Sequence, residues 1–192
     1  MLSLPVKTTK PNIDMNYEGS VTIYANAITK EIAKELIEYA NDESVSGLHR
    51  RGSKNSDYCI ASFSTCLVFR NDHLIYKLLD PLWSQYVQEK NPNITFIEQY
   101  EIKIYNQDDR FNHHHDSYGS IYHNIDRKIN LIIQLSQENE YDGGELYVGD
   151  YKCPKEFGTA IFFPAQYYHH VKPITKGTRV SLIGHAWGPI YR

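Results

Sequence analysis

A run of three histidines followed by an aspartate holds the side chains best suited to metal chemistry. They are His113, His114, His115 and Asp116, and neutral imidazole is the commonest metal ligand. Alternate residues of a β-strand share a face, so His114 and Asp116 would point together, with His113 and His115 pointing the other way. The first pair offers a nitrogen and a carboxylate oxygen, and the second begins a histidine-only site. The run alone leaves both sites open, together with a solvated surface that binds no metal.

A third ligand is available further along the chain, from His169 or His170. Only one of these neighbours can face the metal if they lie on a strand. Two nitrogens and one carboxylate form a facial triad, which leaves open positions on iron(II) for oxygen chemistry. Arg179 and Ser181 then share one face of an apolar stretch. An arginine can bind a carboxylate through two charge-assisted hydrogen bonds, so the pattern predicts an acid-bearing cosubstrate beside the metal.

The residues that must position this chemistry form a series of short strands. Runs rich in β-branched and aromatic residues alternate with turn signals such as Gly143-Gly144, which most simply makes a hairpin. Many short strands in succession predict a jelly roll, or double-stranded β-helix, in a mainly β (α+β) fold. The predicted strands cover about residues 21–26, 58–70, 96–105, 110–116, 128–136, 145–149, 158–163, 168–174 and 178–187.

Two helices are predicted in the first half of the chain. Apolar residues recur at helical spacing from Thr29, a plausible N-cap, to Ala40, and again from about Asp72 to Lys90. Pro81 is expected to kink or split the second helix, because proline lacks the backbone donor. We therefore expect one domain, with helical support over about 1–94 and the metal- and cosubstrate-binding core over about 95–192.

Composition and charge indicate an ordinary soluble protein. Hydrophobic residues make up 41% and charged residues 22%, and a net charge of −3 offers no basic footprint for nucleic acid. No window approaches a membrane span or a signal peptide. Three widely spaced cysteines predict reduced thiols and a cytoplasmic location. The basic run His49–Lys54 is either a solvated loop or a contact surface for an anionic or peptide substrate.

Five separate elements in the second half follow one another in an order typical of a known family. They are a tyrosine, an aromatic residue and His-x-Asp (Tyr105, Phe111, His114, Asp116), an apolar strand with a Gly-Gly-Glu-Leu turn (129–136, 143–146), Phe163-Pro164, His169-His170-Val171, and residues 173–179, with Trp187 after them. Over about residues 98–187 the chain resembles the 2-oxoglutarate- and iron(II)-dependent oxygenases, in the prolyl 4-hydroxylase-like branch. The polar stretch 106–109 departs from the glycine that usually follows the tyrosine.

The resemblance chooses among the histidines. It favours His114 over its neighbours, and it favours His169 over His170 because the basic cosubstrate residue falls ten positions after the distal histidine. The implied iron(II) ligands are His114, Asp116 and His169. The implied contacts of 2-oxoglutarate are Arg179 for its far carboxylate, assisted by Tyr105 and Ser181.

The resemblance also implies an activity. A C–H bond, with a peptidyl prolyl residue as the leading target, would be hydroxylated by O2 while 2-oxoglutarate is decarboxylated to succinate and CO2, with ascorbate in support. The alternatives are a hydroxylase of a free amino acid or other small molecule, and a non-catalytic metal-binding jelly roll. The polar segments 45–57 and 117–127 are candidate lids, whose width would decide between peptide and small molecule. His123 and His185 could line the pocket, although satisfied structural histidines are the simpler interpretation.

Overall fold

The computed structural model describes residues 7–8, 20–42, 49–51, 61–62, 64–68, 74–119 and 124–190. These residues form two helices, α1 (Lys30–Asn41) and α2 (Leu74–Lys90), and sixteen strands. The strands are β1 (Lys7–Thr8), β2 (Thr22–Ala25), β3 (His49–Arg51), β4 (Ala61–Ser62), β5 (Ser64–Val68), β6 (Phe96–Ile97), β7 (Tyr100–Tyr105), β8 (Arg110–His114), β9 (Ile125–Gln134), β10 (Tyr141–Gly143), β11 (Leu146–Val148), β12 (Tyr151–Lys152), β13 (Ala160–Pro164), β14 (His169–Val171), β15 (Ile174–Gly177) and β16 (Arg179–Pro189).

Two antiparallel sheets enclose the core. The larger has nine strands in the order β1-β2-β13-β9-β16-β7-β5-β3, with β6 also paired to β16. The smaller has five strands in the order β12-β11-β14-β8-β4, and β10 pairs with β15 in a separate ribbon. Buried side chains from both sheets meet in one cluster, to which Ile132 and Phe163 come from the larger sheet and Leu146 and Val171 from the smaller. This arrangement confirms the predicted mainly β, double-stranded β-helix fold.

The central strand β9 is buried on both faces. Ile129, Leu131 and Ile133 pack into the cluster that contains the two helices, whereas Ile132 belongs to the cluster between the sheets. Because side chains alternate along a strand, the same strand supports the helices on one side and lines the interior on the other. Burial on both faces also explains why its sequence is a nearly continuous apolar run.

Helix α1 follows its predicted pattern. The Thr29 side chain accepts a hydrogen bond from the backbone N–H of Ile32 at 3.4 Å, as an N-cap does. The predicted apolar face is confirmed, since it supplies the buried or half-buried residues Ile32, Ala33, Leu36, Ile37 and Ala40.

Helix α2 runs without interruption through Pro81, so of the two predicted effects of this proline the split does not occur and the kink stays a prediction. Proline removes one backbone hydrogen bond, but apolar residues on both sides of it are buried against the larger sheet. Tertiary packing of this face stabilises the helix more than the missing hydrogen bond weakens it. The buried residues are Ile75, Leu79, Leu82, Trp83 and Tyr86.

Gly143 and Gly144 do not form the predicted hairpin. The strand before them, β10, pairs with β15, whereas the strand after them, β11, pairs with β12 and β14. Both glycines have positive φ angles, of 75° and 63°, and a Cβ on Gly143 would overlap the carbonyl oxygen of Pro173. The two glycines therefore let the chain cross from the ribbon to the smaller sheet.

The structure bears on two further predictions, which concern membrane-spanning helices and the cysteines. Neither helix in the described ranges has the length and apolarity needed to cross a membrane. Cys66 and Cys153 are buried, as expected, and Cys59 lies outside the described residues. The cytoplasmic location and the single-domain organisation stay predictions.

Candidate active site

The two histidine runs face each other across adjacent strands of the smaller sheet. His114 on β8 pairs in register with His169 on β14, and their ring centroids are 4.1 Å apart. On the opposite face, the rings of His113 and His170 are 3.9 Å apart. Each run is thus divided between the inside and the outside of the sheet, as alternation along a strand predicts.

Asp116 completes a cluster with the two inner histidines. One Asp116 carboxylate oxygen is 3.3 Å from His169 Nε2, and the other is 3.9 Å from His114 Nε2. One ligand atom from each of the three residues lies within 4.8 Å of the others. Asp116 lies just beyond the end of β8 rather than on it, and its backbone N–H donates to the Ala165 carbonyl at 2.9 Å. The structure therefore brings the three predicted ligands together. Asp116, however, is positioned by its hydrogen bond to Ala165, which follows β13 of the larger sheet.

Backbone carbonyls fix the orientation of both imidazole rings. The Nδ1–H of His114 donates to the Asn112 carbonyl at 2.7 Å, and the Nδ1–H of His169 donates to the Tyr167 carbonyl at 3.1 Å. Each contact leaves Nε2 facing Asp116 and available to a metal ion. Such partners of the free ring nitrogen are typical of histidines that bind metal, and the sequence alone did not identify them.

The protonation states at neutral pH suit a metal site. Burial and the neighbouring His169 lower the pKa of His114 to about 3, so its ring is neutral. Burial works to raise the pKa of Asp116, but its contact with His169 and the nearby His185 and His114 hold that pKa well below its usual range. A neutral imidazole beside an ionised carboxylate is the state from which ligands bind iron(II).

A buried polar chain supports Asp116 from the larger sheet. The Asn130 side-chain amide donates to the Asp116 carboxylate at 2.7 Å, and the Nδ1–H of His185 donates to the Asn130 oxygen at 2.9 Å. Burial lowers the pKa of His185 to about 3, which keeps this ring neutral. His185 therefore both lines the cavity and is hydrogen-bonded, whereas His123 lies outside the described residues. Asn130 was missed from sequence, although an asparagine within the apolar stretch 129–133 was a usable signal.

Replacing Asn130 with alanine should weaken metal binding about 10- to 100-fold, the usual effect of losing a group that orients a ligand. The variant loses the hydrogen bond that fixes one Asp116 oxygen. Anaerobic calorimetric titration with Fe(II), or with Mn(II) as a stable substitute, measures the change. Asn93→Ala, at an exposed position, is the matched control. Equal affinities in the two variants would show that Asn130 does not position Asp116.

The predicted cosubstrate residues lie on the inner face of the larger sheet. Arg179 on β16 pairs in register with Tyr105 on β7, and both are almost completely buried, with 1% and 2% of their surfaces exposed. The Arg179 guanidinium lies over the Tyr105 ring, 5.3 Å from its centroid. Burial raises the pKa of the Tyr105 hydroxyl, so it stays a neutral donor. Val180 and Leu182 pack towards the helices instead, which confirms that Arg179 and Ser181 share the other face.

The charge of Arg179 is not balanced by a carboxylate of the described residues. Its Nη2 donates to the neutral side chain of Gln134 at 3.0 Å, and within the described ranges no aspartate or glutamate forms an ion pair with it. Among the described residues, Arg179 Nε and Ser181 Oγ are buried without a hydrogen-bond partner. A buried donor left unpaired costs about 1–3 kcal/mol. These residues therefore fit a bound carboxylate, which would satisfy both the charge and the donors.

An aromatic rim, which we define as Phe96, Tyr118 and Trp187, lies next to the three candidate metal ligands. Both outer rings stack on Trp187 with centroid distances of 6.0 Å. The Arg127 guanidinium lies 5.1 Å from the centroid of Tyr118 and 3.9 Å from an Asp116 oxygen. The rim thus connects the site to the protein surface, with Phe96 and Tyr118 exposed to 45% and 44%.

The candidate lids are only partly described. In the segment 117–127, Asp126 accepts hydrogen bonds from the Ser117 hydroxyl and from the backbone N–H groups of Tyr118 and Gly119. These hydrogen bonds fix residues 117–119 against Asp126. Residues 120–123 lie outside the described residues. Within 45–57 and the basic run, only the backbone of β3 is described. Their roles as lids or contact surfaces stay predictions.

Comparison with known proteins agrees with this geometry. Residues 100–187 match the model of the 2OG-Fe(II) oxygenase superfamily. This segment is similar to the 2OG-Fe(II) oxygenases. The match coincides within a few residues with the resemblance predicted from sequence, which is thereby confirmed, and it spans the candidate metal ligands His114, Asp116 and His169.

Individual relatives cover different parts of the chain. A PKHD-type hydroxylase of Idiomarina loihiensis is 28% identical over 92 residues, which are 46% of this chain and 41% of that protein. The chain thus aligns with less than half the length of this curated relative. The crystal structure of a viral collagen prolyl hydroxylase from Paramecium Bursaria Chlorella virus-1 has a TM-score of 0.70 at 14% identity, and the match covers 88% of this chain and 96% of that one.

A third similarity is to a Trichoplax adhaerens prolyl hydroxylase, solved in complex with a peptide fragment of hypoxia inducible factor. Its TM-score is 0.66 at 16% identity, and the match covers 87% of this chain and 83% of that one. At such low identity, the two solved structures establish only that this chain shares their fold.

Proposed function

We propose that this protein is an Fe(II)- and 2-oxoglutarate-dependent dioxygenase that hydroxylates a peptidyl prolyl residue. One observation carries the proposal: His114, Asp116 and His169 converge within 4.8 Å, in the same interior as a buried Arg179 that forms no ion pair with a carboxylate of the described residues. A facial triad and an unbalanced arginine are the two groups needed to hold a metal and a keto acid. The hydroxylase relatives support the same activity.

The residues divide into two sets of roles. His114, Asp116 and His169 would hold Fe(II), and Arg179 would bind the far carboxylate of 2-oxoglutarate with help from Tyr105 and Ser181. Bound iron(II) supplies the activation of O2, with one oxygen atom going to the C–H bond and the other to succinate as CO2 is released. Ascorbate would act as a supporting reductant.

Apolar side chains limit the access of water to this chemistry. Phe111 stacks on the His114 ring with a centroid distance of 3.6 Å, and Ile132, Leu146 and Ile183 line the cavity together with polar side chains that include Lys103. A dry pocket strengthens the attraction between Arg179 and an anionic cosubstrate, because charges interact more strongly at low dielectric.

The aromatic rim favours a peptide over a small molecule as the substrate. The Phe96 and Tyr118 rings are exposed, and the rim adjoins Asp116 through Arg127. Aromatic side chains of this kind form docking surfaces for proline-containing segments, whereas a small molecule held in the cavity would not need them. The viral neighbour is a collagen prolyl hydroxylase, and the Trichoplax neighbour was solved with a peptide.

The test is turnover of the whole chain with Fe(II), ascorbate, 2-oxoglutarate and a set of proline-containing peptides. We expect peptide-dependent release of succinate, and mass spectrometry should find a gain of one oxygen on a prolyl residue. Turnover with free amino acids or other small molecules, and none with peptides, would replace the peptide substrate with a small one. Iron binding without affinity for 2-oxoglutarate would instead indicate a non-catalytic metal-binding jelly roll.

A further inference from the structure

We propose that Tyr141 is an additional binding residue for the far carboxylate of 2-oxoglutarate, acting beside Arg179. This inference rests on the proposed function and extends its site to a residue on β10, outside the motifs that carry the sequence resemblance. It begins from an unsatisfied polar atom. Tyr141 is 2% exposed, and its hydroxyl is buried without a hydrogen-bond partner among the described residues.

An unpartnered phenol in a protein interior calls for an explanation. Buried tyrosines usually find a partner for the O–H group, and an unsatisfied one costs about 1–3 kcal/mol. The cost is recovered if the hydroxyl binds a ligand. Among the described residues, Arg179 Nε and Ser181 Oγ are likewise buried without a partner, and the Arg179 side chain is a neighbour of Tyr141.

The Tyr141 and Arg179 side chains converge over Gly144. A Cβ at Gly144 would lie 3.2 Å from Arg179 Cδ and 3.2 Å from Tyr141 Cε2, and it would overlap Ile174 Cδ1. Burial raises the pKa of Tyr141, while the charge of Arg179 and a close approach of its guanidinium to the hydroxyl oppose that rise. The approach does not reach regular hydrogen-bond geometry among the described residues, so the hydroxyl faces Arg179 and stays available to a ligand. The absence of a side chain at Gly144 therefore leaves room for Tyr141 and Arg179 to approach the same carboxylate group of a ligand.

Lys155 holds the Tyr141 ring in place. Its ammonium lies 4.0 Å from the ring centroid and donates to the carbonyl of Gly143 at 3.1 Å and to that of Tyr141 at 3.4 Å. A cation over the ring and two contacts to the local backbone fix the side chain before any ligand arrives. Preorganised donors lose little entropy when a ligand binds.

The chemistry of the three donors matches one carboxylate. A carboxylate offers two oxygens with about four lone-pair sites in total, so it can accept from Arg179, Ser181 and Tyr141 together. Hydrogen bonds to a charged group are stronger than neutral ones, at about 1.5–3 kcal/mol each. The hydroxyl of Tyr141 should therefore contribute to the affinity for the dicarboxylate and leave the metal ligands unaffected.

The test is Tyr141→Phe, which removes only the hydroxyl. Calorimetry would measure 2-oxoglutarate binding to the Mn(II)-loaded protein, and thermal shift would measure glutarate, which has no keto group, on metal-free protein. We expect the Kd of both compounds to rise about 10-fold or more, with Mn(II) affinity unchanged. The melting temperature of the ligand-free variant should equal or exceed that of the wild type, because the lost hydroxyl is unpartnered; a lower value would reveal a structural partner and contradict the proposal.

Tyr147→Phe is the matched control. Tyr147 stacks on His170, away from the interior, with a centroid distance of 5.0 Å, so its variant should bind both compounds as the wild type does. If Tyr141→Phe also binds both with unchanged affinity, the role of Tyr141 is overturned and the proposed function stands. If the wild-type protein binds neither compound, the proposed function and this inference fall together.

Discussion

Replacing His114 with alanine should abolish turnover and reduce Fe(II) affinity by more than about 100-fold, the upper end of the effect seen when only a supporting group is lost. The change removes one of three ligands, and it leaves His169 and Asp116 3.3 Å apart without their partner. Two ligands cannot define the three-point geometry of a facial triad. Anaerobic titration with Fe(II) gives the affinity, and succinate release gives the turnover.

The neighbouring His113 provides a matched control for this experiment. It lies on the same strand but on the opposite face, with its ring 3.9 Å from that of His170. His113→Ala should therefore bind Fe(II) and turn over as the wild type does. Retained turnover in His114→Ala, or loss of iron in His113→Ala alone, would show that the ligands have been assigned to the wrong face of β8.

Arg179→Met should raise the KM for 2-oxoglutarate by more than about 100-fold, because it removes two charge-assisted hydrogen bonds of about 1.5–3 kcal/mol each. Methionine fills much of the volume of the buried stem, so the main effect falls on cosubstrate binding. Gln134 loses its partner, and a modest fall in melting temperature is expected. Steady-state kinetics and calorimetry with 2-oxoglutarate measure the effect, and the Mn(II) affinity should not change.

Arg179→Lys separates charge from geometry in the same position. Lysine keeps the positive charge but lacks the planar fork that binds both carboxylate oxygens. Its KM should fall between those of the wild type and Arg179→Met. If Arg179→Met retains the wild-type KM, the carboxylate is bound elsewhere and the assignment of this end of the pocket is wrong.

The parts of the site that sequence predicted well are those fixed by local geometry. Alternation along β8 and β14 places His114 and His169 inside and their neighbours outside, whatever the rest of the chain does. The same rule predicted Asp116 on the strand, but β8 ends at His114 and a hydrogen bond to Ala165 from the other sheet positions the aspartate. The prediction that Asp116 lies beside the two histidines is confirmed, for a reason that is only partly correct.

The parts that sequence did not predict depend on long-range pairing and packing. Gly143-Gly144 looks like a hairpin because turn residues stand between two apolar runs, but the partner of β10 is β15, more than thirty residues away. Tyr141 is inconspicuous for the same reason, since only this pairing brings it to Arg179. Pro81 was expected to split a helix whose buried face holds it together. In each case a distant contact outweighs the local preference.

Successive residues of strand β9 face alternately towards the candidate site and towards the two helices. Asn130 and Gln134 serve the site, while Leu131 and Ile133 support the helices. Inserting or deleting one residue within β9 would exchange the two faces, placing amides among the helices and aliphatic chains beside Asp116 and Arg179. Substitutions along this strand should therefore be tolerated better during evolution than insertions or deletions between Asn130 and Gln134.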